Sequence, residues 1–164
     1  MKKGDFSERI VLARKKLGLS QQEVCEVICI GDPSTLSKWE NGVVVPSDEM
    51  VLRLMDAYND PIIGYIYLQE CNKIGNQLLP PILLSDLDNL ALNFQYEFED
   101  IKELRRDVLE IARDGVVDAN EEPRWEHIQK KNLGLLRTLI PMIFGNFYED
   151  RKALRDGNLA RAHA

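Results

Sequence analysis

Short blocks of apolar residues at helical spacing, each closed by a turn signal, fill the first part of the chain. Ile10, Ala13 and Leu17 recur three and four apart, the period that lines one face of an α-helix. Asp5-Phe6-Ser7-Glu8 before them reads as an N-cap with Glu at N3, and Gly18 supplies the stop. Ser20-Gln21-Gln22-Glu23 is a second capping box ahead of Val24, Val27 and Ile28, and Gly31 breaks that pattern. Asp32 can cap a third helix from about Pro33 to Asn41, with proline suited to its first turn. Its buried stripe is Leu36 and Trp39, which leaves Ser34, Thr35, Ser37 and Lys38 outside the core. Asn41-Gly42 signals a turn, and Val43-Val44-Val45-Pro46 is too short and isolated for a sheet. Ser47-Asp48-Glu49 opens a fourth helix ending near Tyr58 and Asn59, and Asp60-Pro61 a fifth, so five short helices are complete by about Cys71.

Beyond Gly75, Pro80 and Pro81 the pattern lengthens. Leu87, Leu90, Phe94, Glu97, Ile101, Leu104, Val108 and Ile111 alternate by three and four, a heptad seam broken at Glu97. One helix over residues 85–114 would be roughly 45 Å long. Asp114-Gly115 ends it, and a second helix from about Glu122 carries Ile128, Leu133, Leu136, Leu139, Ile140, Ile143 and Phe147. The two are expected to fold back as an antiparallel hairpin, with Pro141 kinking the second near Arg137. Ile128, Leu135, Leu139 and Met142 form a further apolar row on that helix, wider than one partner covers, which points to contact with the first domain or, the favoured reading, with a second subunit. The expected division is residues 1–71 as a first domain, 72–84 as linker, 85–148 as an oligomerisation hairpin and 149–164 as a tail.

Composition narrows the function. The 164 residues are 45% hydrophobic, enough for one domain or two small ones. With no basic segment leading into an apolar run and no bilayer-length stretch, a soluble, cytoplasmic protein without membrane association is expected. Cys25, Cys29 and Cys71 are an odd number without zinc-type spacing, so they read as reduced thiols; Cys25 and Cys29 would share one helix face. A net charge of −6 gives no global attraction to nucleic acid. Any such binding relies on a local surface assembled from Lys2, Lys3, Arg9, Arg14, Lys15, Lys16 and Lys38.

The segments Arg14-Lys15-Lys16-Leu17-Gly18-Leu19-Ser20-Gln21, Thr35-Leu36-Ser37-Lys38-Trp39-Glu40-Asn41-Gly42 and Pro46-Ser47, in this order and at near-family spacing, resemble the lambda-repressor/Cro-type helix-turn-helix regulators, also called the XRE family. The resemblance covers residues 5 to about 70. It implies an all-α fold, a five-helix lambda-repressor-like DNA-binding domain followed here by a long helical hairpin. It also implies that Gln21 binds phosphate, that Arg14 and Glu40 form a buried ion pair, and that Trp39 packs in the core. Base reading would fall to Ser34 and Lys38, then Thr35 and Ser37, with Asn41 on phosphate. Two departures stand out: Leu19 to Trp39 is one residue longer than the common spacing, placing an insertion at Ile30-Gly31-Asp32, and Pro33 occupies a position where many relatives carry a polar reader.

An enzyme is not expected, because His127 and His163 stand apart from any nucleophile. No metal or other cofactor is implied. The run from Asp114 to Glu122 superficially suggests a calcium loop, but its third position is Val116 and its sixth, Ala119, is not glycine. The leading expectation is therefore a dimeric repressor whose partners are double-stranded DNA and a second copy of itself. The alternative is a protein-interaction regulator that keeps the fold and binds a protein partner through the hairpin. The sequence names no small-molecule effector.

Overall fold

In the computed structural model, residues 4–145 and 147 are described, and these are helical throughout with short connections. The helices are α1 Asp5–Lys16, α2 Gln21–Val27, α3 Pro33–Glu40, α4 Asp48–Tyr58, α5 Ile62–Cys71, α6 Lys73–Leu78, α7 Leu87–Glu103, α8 Arg105–Ile111 and α9 Glu122–Phe144. They divide into two compact units, one formed by the chain up to Leu79 and one by residues 80–143.

The first unit is built around Ile10, Val24, Ile28, Leu36, Leu54, Ile62 and Ile63, all essentially removed from solvent. Each such side chain contributes about 1.5–3 kcal/mol by leaving water. Local signals set most of the helix ends. Ser20 and Glu23 make both halves of their capping box, and Asp32 accepts from the Ser34 N–H ahead of Pro33. Gly18 closes α1 at φ +67°, a left-handed conformation that glycine adopts without penalty.

The start of α1 follows a different rule from the one Asp5 to Glu8 suggests. The N-cap is Gly4, which has no side chain, and the free N–H groups of Asp5 and Phe6 donate instead to the Glu70 carboxylate at 3.0 and 2.7 Å. A Cβ on Gly4 would fall 2.3 Å from that carboxylate, so the absent side chain makes room for a cap delivered by α5. The segment expected as linker from residue 72 contains α6, which Asn72 caps through Ile74 and Gly75 and which packs closely on α5. Cys25 and Cys29 do not share a face: α2 stops at Val27, Cys25 is buried, and Cys29 stands exposed in a left-handed turn at φ +57°. The connection between α2 and α3, residues 28–32, contains this turn and the Asp32 cap.

In the second unit α7 and α9 run antiparallel. Glu97 lies against Gly134, Asp100 pairs with Lys131, and Arg124 reaches Asp107 at 3.5 Å and Glu110 at 3.4 Å, each step forward on α7 and α8 matched by a step backward on α9. Glu97 interrupts the apolar seam because it meets a glycine: a Cβ at Gly134 would sit 2.6 Å from its carboxylate. The expected single helix over 85–114 is interrupted at Leu104, where α7 passes into α8. Pro141 is buried within α9, which continues to Phe144. The expected tail at 149–164 lies outside the described residues.

Candidate nucleic-acid interface

One buried carboxylate organises the helix-turn-helix. Arg14 Nε and Nη2 donate to Glu40 Oε1 and Oε2 at 2.5 and 2.9 Å, while Nη1 donates to the Leu19 carbonyl at 2.9 Å. Gln21 Nε2 adds a third bond to Glu40, at 2.7 Å. The end of α1, the turn after it, the start of α2 and the end of α3 therefore meet at one point. The side chains of Arg14 and Glu40 keep 14% and 5% of their accessible surface, so the pair sits largely out of water. The hydrogen bond to Glu40 raises the Arg14 pKa and outweighs the burial that would lower it. Beside this cluster the Tyr58 hydroxyl is buried with no hydrogen-bond partner among the described residues, and burial first, then the Glu40 charge, pushes its pKa up.

With Leu36, Trp39 and Glu40 turned inward, α3 presents Ser34 and Lys38 to solvent, one turn apart, with Thr35 and Ser37 half-buried and Asn41 exposed at its end. Several of these groups bond to one another. Ser34 donates its hydroxyl to Asp32 Oδ2 at 2.5 Å and its N–H to Oδ1 at 2.8 Å. Those two bonds, followed by the nearby Lys38 charge, hold the Asp32 pKa below the usual carboxylate value. Asn41 Nδ2 donates to the Ser37 carbonyl at 2.8 Å and to Ser37 Oγ at 3.3 Å. Lys38 is the side chain on this face whose cation extends into solvent without an ion pair among the described residues.

The structure redistributes the basic residues read from the sequence. Arg9 is not a surface cation available to a ligand: it grips buried Asp60 through two bonds of 2.8 and 2.9 Å and ties α1 to the turn before α5. Arg14 is likewise consumed by Glu40, and Gln21, expected on phosphate, has an amide hydrogen committed to the same carboxylate. Lys15 and Lys38 remain exposed, Lys16 is exposed but engaged, and Lys2 and Lys3 lie outside the described residues. Arg53, which sequence reading passed over, donates to the Ile28 carbonyl at 2.9 Å and to Glu49 at 2.7 Å, closing the end of α2 from α4. Its local signal, a carboxylate four residues earlier, explains the second bond and gives no hint of the first.

Other candidate chemistry stays dispersed. No group of three metal-ligating side chains occurs among the described residues. Asp114 and Asp118 spend carboxylate oxygens on backbone N–H groups of Val116, Asn120 and Glu121, as turn and helix caps. His127 is exposed on α9, His163 lies outside the described residues, and no described helix is long and apolar enough to cross a membrane.

A short helix braced from behind by a buried ion pair, with a polar face held outward, defines a helix-turn-helix DNA-binding regulator. Residues 10–61 match the family described as helix-turn-helix, a span that takes in most of α1 and all of α2, α3 and α4. This amino-terminal domain belongs to the XRE-type helix-turn-helix family. Neither a curated protein nor a solved structure matches the chain.

Proposed function

We propose that the protein is a homodimeric transcriptional repressor that inserts α3 of each copy into the major groove of a palindromic operator. The observation that carries this reading is the division of labour on α3, where Glu40 and Trp39 fasten the helix while Lys38 and Ser34 face outward. Lys38 is the lead base reader, donating to guanine O6 or N7, with Ser34, Thr35 and Ser37 as hydroxyl contacts. Gln21 and Asn41 act at the edges of the face, toward phosphate. Two-fold pairing through the region 85–148 would set half-sites roughly 34–36 Å apart, or a multiple of that. Bound in this way, the protein blocks polymerase by occupancy and requires neither cofactor nor catalysis.

Selection of bound sequences from random duplex DNA, followed by affinity measurement across salt, tests the reading. A palindromic motif and a falling affinity with salt are expected. Lys38→Ala should cost roughly 1–3 kcal/mol at one base position and relax the preference there. A chain with no motif and no salt-dependent binding is instead a protein-interaction regulator, the reading favoured by the net charge of −6 and by the exposed Asp32 carboxylate at the start of α3.

A further inference from the structure

The hairpin unit carries two open patches of opposite character. On α8, Leu109 is 62% exposed; Arg105, four residues before it, stands on the same side of the helix, and Arg113, in the turn just past Ile111, borders the same open surface. On α9, half-buried Trp125 lines a groove with Glu122 and Glu126. Neither these two arginines nor these two glutamates form an ion pair among the described residues, although Arg124, Arg106 and Glu110 close by all do.

The antiparallel register places both patches on the same side. Leu109 follows Val108 of the inward seam by one residue, and Trp125 follows Arg124, which reaches across to Asp107 and Glu110. Because α8 and α9 run in opposite directions, the same one-residue step turns both side chains toward the same face of the hairpin. An apolar knob rimmed by arginines and an aromatic groove rimmed by glutamates are each other's complement, and this chain carries both.

We propose that this face is a two-fold interface with a second copy of the chain, in which Leu109 of one protomer meets its partner's Trp125 and Arg105 and Arg113 meet its partner's Glu122 and Glu126. A two-fold axis repeats the contact in reverse, so each patch is used once on each protomer. The apolar pair supplies contact area, and the charge pattern sets register and partner choice. The proposal rests on the dimer reading above and locates the interface that the reading leaves open.

Sedimentation of the full chain tests it with Arg105→Glu/Arg113→Glu in one variant and Glu122→Arg/Glu126→Arg in another, helicity being checked by circular dichroism. Each variant alone faces like charge and is expected to lose dimer affinity at least tenfold. Mixed together they restore both contacts, one with its signs exchanged and the other as in the wild type, so a one-to-one heterodimer is expected at concentrations where neither variant self-associates. Arg105→Gln/Arg113→Gln, a milder pair, should weaken the dimer and flatten its salt dependence if a charge reversal unfolds the hairpin. Wild-type dimer affinity in the variants, or no rescue on mixing, overturns this interface while leaving dimerisation standing. A wild-type chain that stays monomeric overturns both.

Discussion

The two units are helical alike but rely on different physics. In the first, long-range polar contacts tie distant segments together: the ion pairs of Arg14 with Glu40 and Arg9 with Asp60 are largely withdrawn from water, and the more exposed Glu70 caps α1 from α5. In the second, the buried aliphatic side chains among the described residues are Leu90, Ile111 and Ile128, and the cross-helix ion pairs are more open: those of Arg124 with Asp107 and Glu110 are exposed, and that of Lys131 with Asp100 is half-buried. Burial makes a polar contact costly to break, while exposure makes it cheap. The first unit is thus built to hold one geometry, and the second is held mainly by register.

Breaking the Glu40 cluster should have the largest effect. Glu40→Ala leaves the Arg14 guanidinium and Gln21 amide without their acceptor and should cost roughly 3–5 kcal/mol in urea unfolding of the full chain; a loss of about 1 kcal/mol or less would mean that water replaces the carboxylate and that the contrast between units is wrong. Next in size is Glu70→Ala, which returns the first turn of α1 to solvent and should cost about 1–2 kcal/mol. Gly4→Ala should reproduce part of that loss by displacing the same carboxylate.

Tyr67 gives a smaller effect with a pH signature. Its hydroxyl donates to Asp48 at 2.6 Å, and chiefly for that reason its pKa is raised from 10.0 to about 12. A raised folded value means the bond contributes fully below pH 10 and is lost as pH rises through about 12. Tyr67→Phe should therefore cost about 1 kcal/mol at neutral pH and progressively less across that alkaline window, as read by denaturant titration at several pH values. The smallest effect belongs to the hairpin: Arg124→Ala removes two exposed pairs and should cost at most about 1 kcal/mol, shrinking with salt. If it rivals Glu40→Ala, the hairpin is not the weakly tied unit described above.

This contrast also tracks what the sequence makes legible. Contacts within a turn or two leave a signature, so the Ser20 capping box, Pro33 at the head of α3 and the Gly18 stop read directly. The α3 segment Thr35 to Gly42 was legible through its likeness to a family, which also led to the Arg14 and Glu40 pairing. Arg9, Arg53 and Glu70 were opaque as determinants of fold because their partners lie 51, 25 and 65 residues away, and nothing in their own neighbourhoods announces them. At the candidate interface the positions of Ser34 and Lys38 on α3 were legible. The internal bonds of Ser34 and Asn41, and the diversion of Gln21 to Glu40, depend on side-chain geometry that spacing does not encode.

Those internal bonds have a consequence for whatever meets α3. The Ser34 hydroxyl already donates a hydrogen bond to Asp32, and the Asn41 amide already donates to Ser37. A ligand cannot recruit these groups as donors without first dislodging a satisfied partner, so each internal bond acts as a resident competitor. A poorly matched surface gains little by displacing it, and a well-matched one gains only the difference. The idle face of the helix thereby works as a threshold, damping indiscriminate adhesion before any specific contact is made.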